Sequence, residues 1–246
     1  MAQHLRDVSA RQIVREIERS GLHVSSIHDG GGVLHNAHST RGFINPQLAA
    51  TLDELGYAPE TIVLHTPHIE GTFGQTWWRA IADPIAKAAA RYRSPETVVT
   101  LENMPPFAGY MVPLGTPYDL LEYTVNYDLG VTVDTTHYAQ MGIDIEQAAR
   151  TLGDRIRTIH LSDYLDGETH LFPGEGVLDF ATFFRALAFP TLRAIILESS
   201  MGFRGEDVRQ LDRAPMIARL HLAGERLEGW LQAAQQPATA QHPSDN

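Results

Sequence analysis

The chain contains no cysteine. Disulfides, thiolate zinc sites and a cysteine nucleophile are excluded, and the composition fits a reducing compartment. Positive charge is scarce as well: 19 Lys and Arg stand against 30 Asp and Glu, a formal net charge of -11. This balance disfavours broad attraction to phosphate backbones, so nucleic acid is a secondary expectation that would need a local basic patch. No apolar run reaches the roughly 18 residues that a membrane span requires. Met1 to Val8 is polar and lacks the pattern of a signal peptide. The sequence predicts a soluble cytoplasmic protein with no membrane partner.

What the chain has in quantity is histidine, 12 in 246 residues. With 43% hydrophobic residues it is long enough for one large core. A single domain is expected over residues 1–236, with a frayed Pro/Ser/Asp-rich tail over 237–246.

Strand-like and helical stretches alternate. Ser9 heads a helix with Ile13, Val14 and Ile17 on one face and Gly21 as its stop. The strand HVSSIHD brings His28 and Asp29 to a loop containing Gly30 to Gly32, His35, His38 and Arg41; Asn45-Pro46 then opens a helix through Leu55. TIVLHTPH delivers His65 and His68, and a helix from Trp77 to Tyr92, interrupted at Pro84, leads to TVVTLEN with Glu102 and Asn103. After the helix Pro117 to Tyr127 comes GVTVDTTH, with Asp134 and His137. The helix Asp144 to Leu152 precedes IRTIHLSD, with His160 and Asp163. The helix Phe180 to Ala188 precedes RAIILES, which ends in Glu198, and a last helix is expected from Glu206 to about Gln236.

Six strands, each ending in His, Asp or Glu, imply a parallel sheet with right-handed crossovers and its chemistry at the carboxyl ends. Convergence of all those ends predicts a (β/α)8 TIM barrel, which has eight strands where six are counted here.

These motifs resemble the xylose isomerase-like TIM barrel superfamily, which holds sugar isomerases and epimerases together with endonuclease IV-like enzymes. The resemblance is carried by LEN at Glu102, DTTH at Asp134 to His137, IHLSD at His160, HLFPGEG at His170 to Gly176 and LES at Glu198. It implies that the His28 strand matches the third of the family barrel and the Glu198 strand the eighth, so that the first one or two strands are lacking, either because the chain starts downstream of a true start codon or because a compact variant covers its open edge by a homo-oligomer contact.

For the isomerases and epimerases the resemblance implies that Glu102, Asp134, His160 and Glu198 ligate one divalent ion, manganese, cobalt or magnesium. A sugar or polyol would react by proton transfer through a metal-stabilised enediolate, with Glu102 and Glu198 as catalytic residues and His65, His137 and His170 against the substrate. For the endonuclease type it implies a multi-zinc phosphoesterase that adds His28, His65, His137, Glu168 and His170 as ligands. The HDGGG loop lacks the bulky wedge such an enzyme inserts into DNA, and DYLDGETH lacks an arginine found in some ketose epimerases. A third expectation is a partner-dependent barrel subunit without turnover. The competing structural reading makes the four central residues strand-end caps for loop amides, but buried carboxylates need a compensating partner and a metal ion supplies one.

Overall fold

The computed structural model describes residues 9–29, 33–34, 46–66, 68–70, 85–87, 89–106, 110–200 and 212–236. In chain order its strands are β1 (Ser26–Asp29), β2 (Val33–Leu34), β3 (Thr61–His65), β4 (His68–Glu70), β5 (Val98–Glu102), β6 (Tyr110–Met111), β7 (Gly130–Asp134), β8 (Ile156–Leu161), β9 (Asp163–Leu165), β10 (Glu168–Leu171) and β11 (Ala194–Leu197). The helices are α1 (Ala10–Arg19), α2 (Pro46–Leu55), α3 (Pro117–Asn126), α4 (Thr135–Gln140), α5 (Ile145–Leu152), α6 (Phe180–Arg185) and α7 (Arg213–Gln235). Residues 85–87 and 89–92 are also helical. The expectations placed on Gly30 to Gly32, His35, His38, Arg41, Asn45, Trp77, Pro84 and residues 237–246 lie outside the described residues.

Local chemistry explains the boundaries. Ser9 and Gln12 cap α1 reciprocally, each side chain accepting from the other's backbone N–H. Gly21, at φ +67°, ends that segment in the left-handed conformation that favours glycine. Thr116, Asp144, Asp179 and Asp212 cap α3, α5, α6 and α7 by accepting from first-turn N–H groups.

The six expected strands form one sheet in the order β1-β3-β5-β7-β8-β11, and every pairing in it is parallel. Its outward side chains, among them Leu64, Leu101, Val133 and Ile159, join one core with Tyr123 of α3, Ala148 and Leu152 of α5 and Phe183 of α6. Trp230 of α7 lies against Phe180, with ring centroids 4.9 Å apart. Gly130 is required where β5, β7 and β8 meet, because a Cβ there would stand 2.6 Å from Arg157 Cγ and 2.9 Å from Thr100 Cγ2.

The inward face is polar. Strand alternation puts Thr100, Thr132 and Thr158 on the same side as Glu102, Asp134 and His160, two residues further on. All three threonines are buried, and the Thr100 and Thr132 hydroxyls are 2.7 Å apart. Barrel interiors are ordinarily filled by bulky branched apolar residues; here a tier of hydroxyls lies beneath the chemistry. Among the described strands β1 and β11 have one sheet neighbour each, so the sheet is a curled partial barrel.

Three features depart from the sequence reading. A small sheet β2-β4-β6 and a β9–β10 hairpin were not expected, nor was α4, which starts directly on Asp134. The hairpin turns on Asp166 and Gly167, both at positive φ, the Asp-Gly pair that a two-residue turn favours.

Candidate metal centre

Glu102 is the hub. It ends β5 with no exposed surface, and its two carboxylate oxygens face different neighbours. Oε1 accepts from Nδ1 of His160 at 3.0 Å and lies 3.6 Å from Nδ1 of His137. Oε2 lies 2.9 Å from Nε2 of His28 and 3.3 Å from Nε2 of His65, and these two imidazole nitrogens are 2.6 Å apart. Zinc bonds of about 2.0–2.1 Å place tetrahedral donor atoms roughly 3.3 Å from one another, so these three atoms lie close enough to share an ion if the 2.6 Å His28–His65 pair spreads around it.

Asp134 divides its oxygens between structure and site. Oδ1 accepts from His137 N at 2.9 Å and so caps α4, while Oδ2 is buried without a hydrogen-bond partner. Glu198, just past β11, brings Oε2 to 2.7 Å from Nδ1 of His160, the nitrogen that already serves Glu102. One Nδ1 proton cannot satisfy two carboxylates. Oε2 of Glu198 is buried outside hydrogen-bond geometry, as are Oδ2 of Asp134 and Oε2 of Glu102, the last close to the ring nitrogens of His28 and His65. Buried anionic oxygen without a partner is costly, and a cation held among these atoms would remove the deficit.

His137 and His170 are aimed by backbone carbonyls. Nδ1 of His137 lies 2.8 Å from Asn103 O, and Nδ1 of His170 lies 3.1 Å from Glu198 O. A carbonyl only accepts, so each Nδ1 carries its proton and each Nε2 is left free to bind. His170 sits at φ +55° in the irregular pairing of β9 and β10, a strained position that turns its ring toward Asp134 and His137.

Charge follows the packing. Burial opposes ionisation of Glu102, but the imidazoles of His160, His28 and His65 outweigh it and hold the carboxyl well below its ordinary value. Burial also opposes a charge on His160, yet the adjoining carboxylates of Glu102 and Glu198 raise it to about 10. Asp134 moves the other way: burial, then the charge of Glu102, push it up to about 7. Burial acts against ionisation of Glu198 too, and His160 overcomes it to leave a lowered value.

Eight of the nine ligand candidates therefore gather in four overlapping groups, each with ligand atoms within 4.8 Å of one another: His28/His65/Glu102, His28/His160/Glu198, Asp134/His137/His170 and Glu102/Asp134/His160/Glu198. Glu168, the ninth, starts β10, is exposed and belongs to none of these groups. Asp163, paired with His160 in the sequence reading, is instead saturated by backbone: it accepts from Tyr164, Gly174, Gly176 and Leu178 N–H groups at 2.8–3.1 Å and fixes the turn after β10. His68 bonds to Pro105 O at 3.0 Å. Sequence reasoning missed Asn103 as a supporting residue, along with Thr135, Thr136 and Ser162, whose mutual hydrogen bonds lace α4 to the end of β8.

A family model described as the xylose isomerase-like TIM barrel matches residues 1–213. The chain belongs to this family. No curated protein matches it. Among solved structures of similar fold, D-psicose 3-epimerase from Clostridium cellulolyticum H10 is 16% identical with a TM-score of 0.64, covering 94% of this chain and 87% of that one. The 3-keto-D-glucoside 4-epimerase of E. coli is 20% identical, TM-score 0.62, covering 88% and 84%. An AP endonuclease of family 2 from Brucella melitensis is 17% identical, TM-score 0.61, covering 85% and 84%. No helix among the described residues is long and apolar enough to cross a membrane.

Proposed function

We propose that this chain is a divalent-metal-dependent isomerase or epimerase that moves a proton between adjacent carbons of a sugar or related polyol. The observation carrying this reading is the convergence of Glu102, Asp134, His160 and Glu198, with their surplus of buried carboxylate oxygen. Three carboxylates and one imidazole suit manganese, cobalt or magnesium. Bound there, the cation would supply electrophilic polarisation of a substrate carbonyl, which eases removal of the neighbouring proton. Glu102 and Glu198 are the proton carriers of the exchange: His160 keeps both ionised in the resting chain, and the one that takes the proton becomes the acid that returns it to the adjacent carbon. Glu102 works from the buried floor, whereas Glu198, with 36% of its side chain exposed, works from the open side. His65, His137 and His170 orient substrate hydroxyls. The sugar epimerases of similar fold support the substrate class.

The test is proton exchange. Metal-loaded protein in deuterated water, incubated with a panel of ketoses, is expected to replace the hydrogen beside the carbonyl, as followed by NMR. Glu198→Gln should lower the rate by at least about a hundredfold, within the range of general acid–base contributions. Metal-loaded protein that exchanges no hydrogen of any ketose or polyol would sink the proposal.

One observation favours a second reading. The histidine-rich groups His28/His65/Glu102 and Asp134/His137/His170 flank the four-ligand group and suit zinc, as in a multi-zinc phosphoesterase. Two or three zinc ions per chain, with cleavage of a phosphodiester or an abasic-site duplex, would establish it in place of the first.

A further inference from the structure

Asn103 follows Glu102 at the end of β5, is wholly buried and belongs to none of the ligand groups. The β5–β7 ladder stops at the Glu102–Thr132 pair, two residues short of Asp134. The Asn103 side chain continues it: Oδ1 accepts from Asp134 N at 2.7 Å, and Nδ2 donates to Asp134 O at 3.0 Å. Its main-chain carbonyl, in turn, accepts from Nδ1 of His137. Every one of these bonds ends on a residue that faces the site.

We infer that Asn103 is a positioning residue that sets two ligands at once, placing Asp134 through its amide and fixing the tautomer of His137 through its carbonyl. The inference rests on the metal-centre reading above. Asp134 belongs both to the four-ligand group and to the Asp134/His137/His170 group, so the two share one support. Packing alone does not explain an amide here, since a buried polar side chain costs free energy unless its partners are in place. Thr100 provides the contrast. It lies three residues earlier on the same strand and is equally buried, but its hydroxyl bonds go to Thr132 Oγ1 and Ile62 O, neither of them a ligand.

The experiment compares full-length wild type, Asn103→Ala and Thr100→Ala by cobalt(II) titration, with calorimetry and visible absorption as readouts. Asn103→Ala is expected to weaken cobalt binding by about 10–100-fold, the usual cost of losing a residue that supports a ligand, and to alter the absorption bands. Thr100→Ala should lower the melting temperature without moving either readout. Wild-type affinity and bands in Asn103→Ala, or an equal affinity loss in Thr100→Ala, would overturn the inference while leaving the metal centre standing. A wild type that binds no cobalt, zinc or manganese would remove both. Should Asn103→Ala fail to fold, nitrogen-15 NMR of the wild-type imidazoles decides: His137 protonated at Nδ1 with Nε2 bare is expected, and the reverse tautomer overturns the assignment.

Discussion

The centre of the sheet and its two edges contribute to the same site in opposite ways. Glu102, Asp134 and His160 come from β5, β7 and β8, each laddered on both sides, and are at most 1% exposed. His28 and Glu198 come from β1 and the end of β11, the edge strands, with side chains 30% and 36% exposed. The centre is preorganised and bears the cost of buried, under-paired charge. The edges are held by single ladders, yet they meet over the centre, since His28, His160 and Glu198 place ligand atoms within 4.8 Å of one another. An ion at that meeting point would join parts of the sheet that no strand pairing joins.

The largest effects belong to the centre, and its two carboxylates should respond with opposite signs. Glu102 has a lowered value in the folded chain, so its ionisation contributes stability above the ordinary pH range of a carboxyl, lost only as pH falls through the folded value. Glu102→Gln should therefore destabilise the metal-free chain by about 3 kcal/mol and leave His160 without its main counter-charge. Asp134, raised to about 7, contributes stability that is complete at acid pH and lost as pH rises through 7. Asp134→Asn keeps an oxygen to cap α4 and should stabilise the metal-free chain at pH 8 by about 1–2 kcal/mol. Both substitutions should weaken metal binding by more than about a hundredfold, beyond the cost of losing a supporting residue. Denaturant melts in chelator, paired with metal titrations, check the two signs; a destabilised Asp134→Asn at pH 8 would refute the charge assignment.

A smaller, graded effect follows from protons already present. At pH 8 the metal-free centre holds the proton of His160, raised to about 10, and below pH 7 that of Asp134 as well. A cation must displace them, so affinity at the four-ligand group rises with pH, about tenfold per unit for each proton released. Calorimetry in buffers of different ionisation enthalpy is expected to count about one proton released at pH 8 and about two at pH 6. Equal counts at both values would contradict the assignment to Asp134.

The same contrast governs what could be read from the sequence. The central strands are legible because TLE, TVD and TIH repeat one pattern, an apolar outward residue between an inward threonine and a candidate ligand. The ligand candidates stand out in the sequence, but the threonines read as ordinary strand residues, because burial of a hydroxyl leaves no local signature. Asn103 was read only as part of a motif, since its partners Asp134 and His137 are 31 and 34 residues away. Asp163 reads as chemistry in the sequence by its nearness to His160; three of its four N–H donors, those of Gly174, Gly176 and Leu178, come from a turn that only the fold brings back to it. The Asp166-Gly167 hairpin is different. Its turn signal stands in the sequence, yet the run around it was read for ligands rather than for strands.

The smallest expected effect lies at the edge, and it tests whether an ion joins the two edge strands. His28 touches the centre through Glu102 Oε2 and packs its ring 4.8 Å from that of His160, while among the described strands β1 itself pairs only with β3. Adding metal to the chelated protein should slow amide exchange in residues 26–29 by about tenfold, because opening β1 would then also break an ion contact worth about 1.4 kcal/mol. Exchange in β7, held on both sides, should change less. His28→Ala leaves Glu102, Asp134, His160 and Glu198 in place, so it should still bind metal but lose the protection of β1. Protection that survives in His28→Ala would mean that the ion acts on the centre alone, and that the edges meet over it without being joined by it.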